Sequence, residues 1–168
     1  QTLTLAGPDN VMKLNFNSSF KAMALVSLAA LLASPVSAQS KKREAQVLGL
    51  AGNVTYSAGG GGSFTPAYIG TKLREGDVIK TGGASHADID LGDNVGVVQV
   101  AAHSTFVVKT LTTTDTGAER VTETDLDLKE GAVFFNVNKL AKASRFEITT
   151  PKGIAGIRGT SGSMTADG

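Results

Sequence analysis

Apolar and polar residues alternate along most of this chain, with Gly, Asp or Asn interrupting each run, and this period of two is the signature of short strands. Ala87, Ile89 and Leu91 fall on one face and His86, Asp88 and Asp90 on the other, which predicts a strand with one wet side. Gly92-Asp93-Asn94 predicts a compact turn into residues 95–100, whose more continuously apolar character predicts a more buried strand. Residues 105–111 and 120–128 read as the arms of a long hairpin around a polar loop. Lys129-Glu130-Gly131 then predicts a turn into a separate strand over 132–138, with Val133, Phe135 and Val137 inward. Residues 139–144 have a local helical preference too short to stand alone. Strands resume over 145–148, with Phe146 and Ile148 inward, turn at Thr150-Pro151-Lys152-Gly153 and continue over 154–158. Upstream, residues 46–57 read as a strand pair, or as one long strand broken by Gly49 and Gly52. The four glycines at 59–62 read as a flexible connection.

The expected fold is therefore all-β: a single domain of short, mostly antiparallel strands forming a sandwich, a roll or a short β-solenoid. Few aromatic residues are present, so Val, Ile, Leu and Ala are expected to fill thin layers. Glu75-Gly76-Asp77 and Glu130-Gly131 each follow a basic residue, a weak internal echo.

The first 38 residues break this pattern. From Met12 they read as a secretory signal peptide: Lys13 and Lys21 in a polar start, an uncharged run over 22–33, and Pro35-Val36-Ser37-Ala38 as a small-residue cleavage site. The run is about a dozen residues, against the roughly 20 that a membrane span needs, so cleavage after Ala38 is expected, with no span in the mature chain. Residues 1–11 read as upstream or fragment-edge sequence, 12–38 as the signal peptide, 39–45 as a solvated basic tail around Lys41-Lys42-Arg43, and 46–168 as the β domain. Past the cleavage site, acidic and basic residues balance, so no large basic field points to nucleic acid. With no Cys in the chain, disulfides, thiolate metal sites and cysteine catalysis are excluded.

Five segments, in order, resemble FecR-type domains: Gly52-Asn53-Val54-Thr55; Leu73-Arg74-Glu75-Gly76-Asp77-Val78-Ile79-Lys80-Thr81-Gly82; Ala87 to Leu91 with its Gly-Asp turn; Leu126 to Gly131; and Thr150-Pro151 with Ile157-Arg158-Gly159-Thr160. The family's namesake is an inner-membrane regulator of iron uptake that receives its signal from an outer-membrane transporter and controls a sigma factor. This chain has an expected leader where that plan has a cytoplasmic helical domain and a membrane span. It is more similar to stand-alone exported members. The resemblance implies a non-catalytic interaction or sensing module in the periplasm or at the cell surface, whose partner is an envelope protein or a surface polymer. A structural or polysaccharide-binding surface protein is the alternative. Relatives continue past Ala166-Asp167-Gly168, so a truncated C-terminus is expected.

The family-motif residues Gly76, Asp77, Thr81, Gly82, Gly131, Thr150, Pro151, Arg158, Gly159 and Thr160 are expected to be structural. Gly76-Asp77 suits a tight turn. Arg158, flanked by Ile154 and Ile157, is expected to need a buried or half-buried network of carboxylate and carbonyls, with anion binding as the alternative. No cofactor or metal is expected. Asp88, Asp90 and Asp93 lack a calcium-loop pattern, and His86 and His103 fit no zinc spacing. Ser85-His86 and His103-Ser104 are adjacent pairs whose side chains diverge on a strand, so no catalytic residues are expected.

Overall fold

The computed structural model describes residues 39–60 and 62–166; the expectations for 1–11 and 12–38 lie outside the described residues. Among the described residues thirteen strands follow one another: β1 (Ser40–Lys42), β2 (Ala45–Ala51), β3 (Val54–Ser57), β4 (Thr65–Pro66), β5 (Lys72–Leu73), β6 (Val78–Thr81), β7 (His86–Asp90), β8 (Gly96–Val100), β9 (Thr105–Asp115), β10 (Arg120–Val137), β11 (Arg145–Thr150), β12 (Gly153–Gly156) and β13 (Ser161–Ala166). They join in one sheet with the order β4-β3-β6-β9-β10-β8-β7-β2-β5. This sheet curls over into two layers, an antiparallel half-barrel. The all-β expectation holds. The first layer carries β3, β4, β6, β9 and the start of β10, with β1 on the edge of β9 and with β11 and β12 beyond β10. The second carries β2, β5, β7, β8, the end of β10, and β13.

Strand β10 links the layers, and here the structure departs from the sequence reading. Lys129-Glu130-Gly131 is a bend inside one 18-residue strand, where a turn between two strands was expected. Register shifts against β9 at Asp125/Leu126 and Leu128/Glu130 tighten the local twist, and Gly131 adopts φ 89°. The bend is obligatory for the return path. Residues 138–144 can reach at most about 25 Å, whereas Thr122 to Val137 would span about 50 Å in a straight strand. Yet the Thr122 N–H donates to Ser144 Oγ at 3.0 Å, and β11 runs parallel to β10 from Glu123↔Arg145 onward. The helical preference over 139–144 is not realised. That segment is an irregular crossover, turned at Lys142-Ala143, which brings the chain back across the curl.

Two of the passages between layers, β6 to β7 and β8 to β9, are tied by the same device. Gly83-Ala84-Ser85 and Ala102-His103-Ser104 both place a residue at positive φ (Ala84 51°, His103 54°) before a buried serine. Ser85 Oγ donates to the Gly83 carbonyl and accepts the Asn53 N–H at 2.9 Å. Ser104 Oγ donates to the Ala102 carbonyl and accepts the Ala132 N–H at 3.0 Å. Between them the Thr81 hydroxyl accepts the Ser104 N–H at 3.0 Å, and the Gly82 N–H reaches the Asn53 carbonyl at 2.9 Å. These hydroxyls satisfy backbone groups that lose their ladder partners where strands leave one layer for the other. The internal echo thus lies in these Ser-centred crossings. The Glu-Gly turns do not carry it, because Gly76 sits in a tight turn and Gly131 in the β10 bend.

The core lies between the layers. Ala87, Ile89 and Leu91 are buried opposite half-buried His86, Asp88 and Asp90, and Val133, Val137, Phe146 and Ile148 are buried as their alternation predicts. Phe135 is half-buried against this core, and Val97 is exposed. Residues 95–100 are therefore less continuously buried than their composition suggests, because one face of β8 looks outward.

The expected solvated tail over 39–45 is corrected most sharply. Residues 40–42 pair with Thr112–Thr114 of β9, and Arg43 is buried. Its guanidinium donates to the Leu91 carbonyl and the Thr124 hydroxyl, and more weakly to the Thr112 and Glu123 carbonyls at 3.4 Å. One side chain thereby fastens β9, β10 and the end of β7 together. Burial lowers the Arg43 pKa from its ordinary value, and the nearby carboxylates Asp93 and Asp90 oppose that shift.

Candidate surface cleft

The motif residues fall at separate places along the sheet. Gly76 and Asp77 form the turn before β6. The Asp77 carboxylate accepts the Arg74 N–H at 2.9 Å and the Gly59 N–H at 2.8 Å, while the Gly76 N–H donates to the Val108 carbonyl at 2.7 Å. This carboxylate pins the start of the glycine run to the sheet, where Ala58–Gly60 makes a short 3-10 turn. Beside it Glu75 pairs with Lys42 at 2.6 Å and accepts the Leu111 N–H, which holds its carboxyl below the usual range. Thr81, Gly82 and Gly131 belong to the crossings between layers.

Thr150 and Pro151 form the β11–β12 turn, whereas Arg158, Gly159 and Thr160 follow the opposite end of β12. The Thr150 hydroxyl closes the β11–β12 turn by donating to the Gly153 carbonyl at 3.2 Å and accepting the Lys152 N–H at 3.3 Å, with Pro151 exposed at its tip. Beyond β12 the chain leaves the sheet. The Ile157 N–H bonds the Phe146 carbonyl at 2.8 Å, and the Thr160 carbonyl accepts the Val137 N–H at 3.0 Å. Gly159 is at φ 56°, and a Cβ there would lie 3.1 Å from Lys139 Cα. That close approach holds the 157–160 segment against the 139–144 crossover.

Arg158 does not occupy the buried network expected of it. It is exposed and makes no ion pair or hydrogen bond among the described residues. The physical reason is parity. Ala155 and Ile157 point into the protein, so Ile154, Gly156 and Arg158 share the outer face. Arg43 fills the role of the buried guanidinium instead.

Two adjoining clefts flank Arg158. One, of about 430 Å³, is lined by Lys142, Arg145, Glu147, Gly156 and Arg158; the other, of about 340 Å³, by Lys139, Leu140, Lys142, Ile157 and Arg158. The charges are unbalanced. Glu147 pairs with Arg145 at 3.0 Å, and Arg145 also binds Glu123, which raises the guanidinium pKa. Lys139, Lys142 and Arg158 have no anion among the described residues. The arrangement suits it to hold an anionic group, with Gly156 leaving the floor open because nothing lies within 4 Å of where its Cβ would be.

The residues weighed for other chemistry have structural employment. Asp88 accepts from Gln99 Nε2 at 2.7 Å, Asp90 accepts the Gly92 N–H at 3.0 Å, and Asp93 faces Arg120 at 3.7 Å. Ser85 and Ser104 use their hydroxyls in the crossings. Sequence reasoning missed Arg43 and the pairing of Lys139 and Lys142 with Arg158. Only the outward parity of Arg158 offered a signal for the latter.

The family described as FecR protein matches residues 77–168. The match begins at Asp77, so the segments Gly52 to Thr55 and Leu73 to Gly76 lie outside it, although both are built into the same sheet. No curated protein and no solved structure matches the chain.

Proposed function

Since this chain belongs to the FecR family, whose members are regulatory and sensing proteins of the cell envelope, we propose that it is an exported, non-catalytic module that recognises a partner through its Arg158 cleft. The single observation that carries this reading is the set of three cations, Lys139, Lys142 and Arg158, around adjoining clefts with no anion of their own among the described residues. Cations that stabilised the fold would have partners, as Arg145 has in Glu123 and Glu147 and Arg43 has in carbonyls and the Thr124 hydroxyl; these are offered to solvent. No helix among the described residues is long and apolar enough to cross a membrane. The proposed route to the envelope is the leader over 12–38, cut after Ala38.

Export is tested by expressing the whole chain in a bacterium with two membranes, fractionating the cells and sequencing the protein's N-terminus. The expected product starts at Gln39 and appears in the periplasm or the medium. An intact chain that begins at Met12 and stays in the inner membrane would overturn the reading. The basic strand β1 and Arg43 follow this cut directly, so the proposed processing leaves the buried guanidinium in place.

A further inference from the structure

Strand β12 has an open edge. It pairs only with β11 among the described residues, in the register Glu147↔Gly156, Ile148↔Ala155, Thr149↔Ile154 and Thr150↔Gly153. The Ile157 N–H bonds the Phe146 carbonyl, which fixes which residues face β11. Residues 153, 155 and 157 direct their backbone groups to β11; the N–H and C=O of Ile154 and Gly156 point the other way. The strand is short, but it carries no charge, no proline and no bulge to guard its edge. Ile154 is 68% exposed, and neither Gly153 nor Gly156 would bring a Cβ within 4 Å of anything. This edge opens beside the unpaired cations Lys142 and Arg158.

We propose that the free edge of β12 receives an extended, acidic segment of a partner protein as an added strand. Backbone bonds to Ile154 and Gly156 would supply register-independent affinity, and carboxylates on the outer face would supply specificity by meeting Arg158 and Lys142. Alternation favours such a guest. Its acidic side chains share the face of Ile154 and Arg158, and its apolar ones lie on the face of Ala155 and Ile157. Arg145 is held by Glu123 and Glu147, so the guest's carboxylates fall to the cations without partners. The inference rests on the reading of this chain as an interaction module, and it names the chemistry of that module's partner.

The test titrates the isotope-labelled full chain with a capped octapeptide that alternates valine and glutamate, following amide shifts by NMR. The valine–lysine octapeptide, polygalacturonate and inorganic phosphate serve as comparisons. Saturable shifts are expected for the valine–glutamate peptide, centred on Ile154 and Gly156, with none for the lysine peptide. Two variants separate the contributions. Ile154→Pro deletes an N–H that no described strand uses, and Lys142→Glu with Arg158→Glu reverses the charge; each should weaken the peptide at least about tenfold while melting like the parent. Peptide binding indifferent to Ile154→Pro would overturn strand addition, as would the absence of shifts at β12. If polygalacturonate binds the cleft in preference to the peptide, the protein-segment inference fails and the surface-polymer reading gains. Failure of export, read separately from the N-terminus, would instead remove the envelope role.

Discussion

Replacing Arg43 by Ala is expected to lower unfolding stability by about 3 kcal/mol or more, since each buried polar group left without a partner costs about 1–3 kcal/mol. The variant strands the carbonyl of Leu91 and the hydroxyl of Thr124, both residues fully buried, and loosens the Thr112 and Glu123 carbonyls as well. Arg43→Lys should recover less than half of the loss. An ammonium on a flexible stem cannot match acceptors on three strands as a planar guanidinium does. Chemical denaturation checks this, through a lower midpoint at an unchanged slope. A midpoint equal to the parent's would return residues 39–45 to the solvated tail that their composition suggests.

The second large effect belongs to Gly131→Ala, expected to cost more than about 3 kcal/mol. A Cβ there would lie 2.1 Å from Ser104 Oγ, 2.7 Å from the His103 carbonyl oxygen and 2.7 Å from Ser104 Cα, at φ 89°. Backbone contacts cannot be relieved by turning a side chain. The Ser104 hydroxyl would also have to abandon the Ala132 N–H, and the bend that lets β10 serve both layers would open. Gly117→Ala is the control, with a similar φ of 79° but nothing within 4 Å. It should lose only about 1–2 kcal/mol, the conformational cost alone. Equal losses for the two variants would show that crowding at the crossing is unimportant.

Much of the fold was legible because alternation is a local signal. Ala87, Ile89, Leu91, Val133, Val137, Phe146 and Ile148 are buried where a period of two places them. Two of the misreadings share a cause: a distant strand decided them. Lys129-Glu130-Gly131 has the composition of a turn, and only the pairing of β10 with β9 before it and β8 after it makes it a bend. Arg43 sits in a basic run with no apolar neighbours, and its burial follows from the docking of β1 on β9 far along the chain. For Arg158 the apolar neighbours misled. Ile157 is buried and Ile154 exposed, and Arg158 shares the parity of Ile154. The cleft itself was illegible in sequence, since Lys139 and Lys142 reach Arg158 only through the approach of Gly159 to Lys139.

The central claim is that Arg43 holds the fold while Arg158 faces outward for recognition, and the thermal unfolding of Arg158→Ala tests it most directly. Surface substitutions change stability by within about 0.5 kcal/mol, so a melting temperature within about 2 °C of the parent is predicted. A fall of about 8 °C or more, the scale of a lost buried network, would place Arg158 in the framework of the fold and contradict the account.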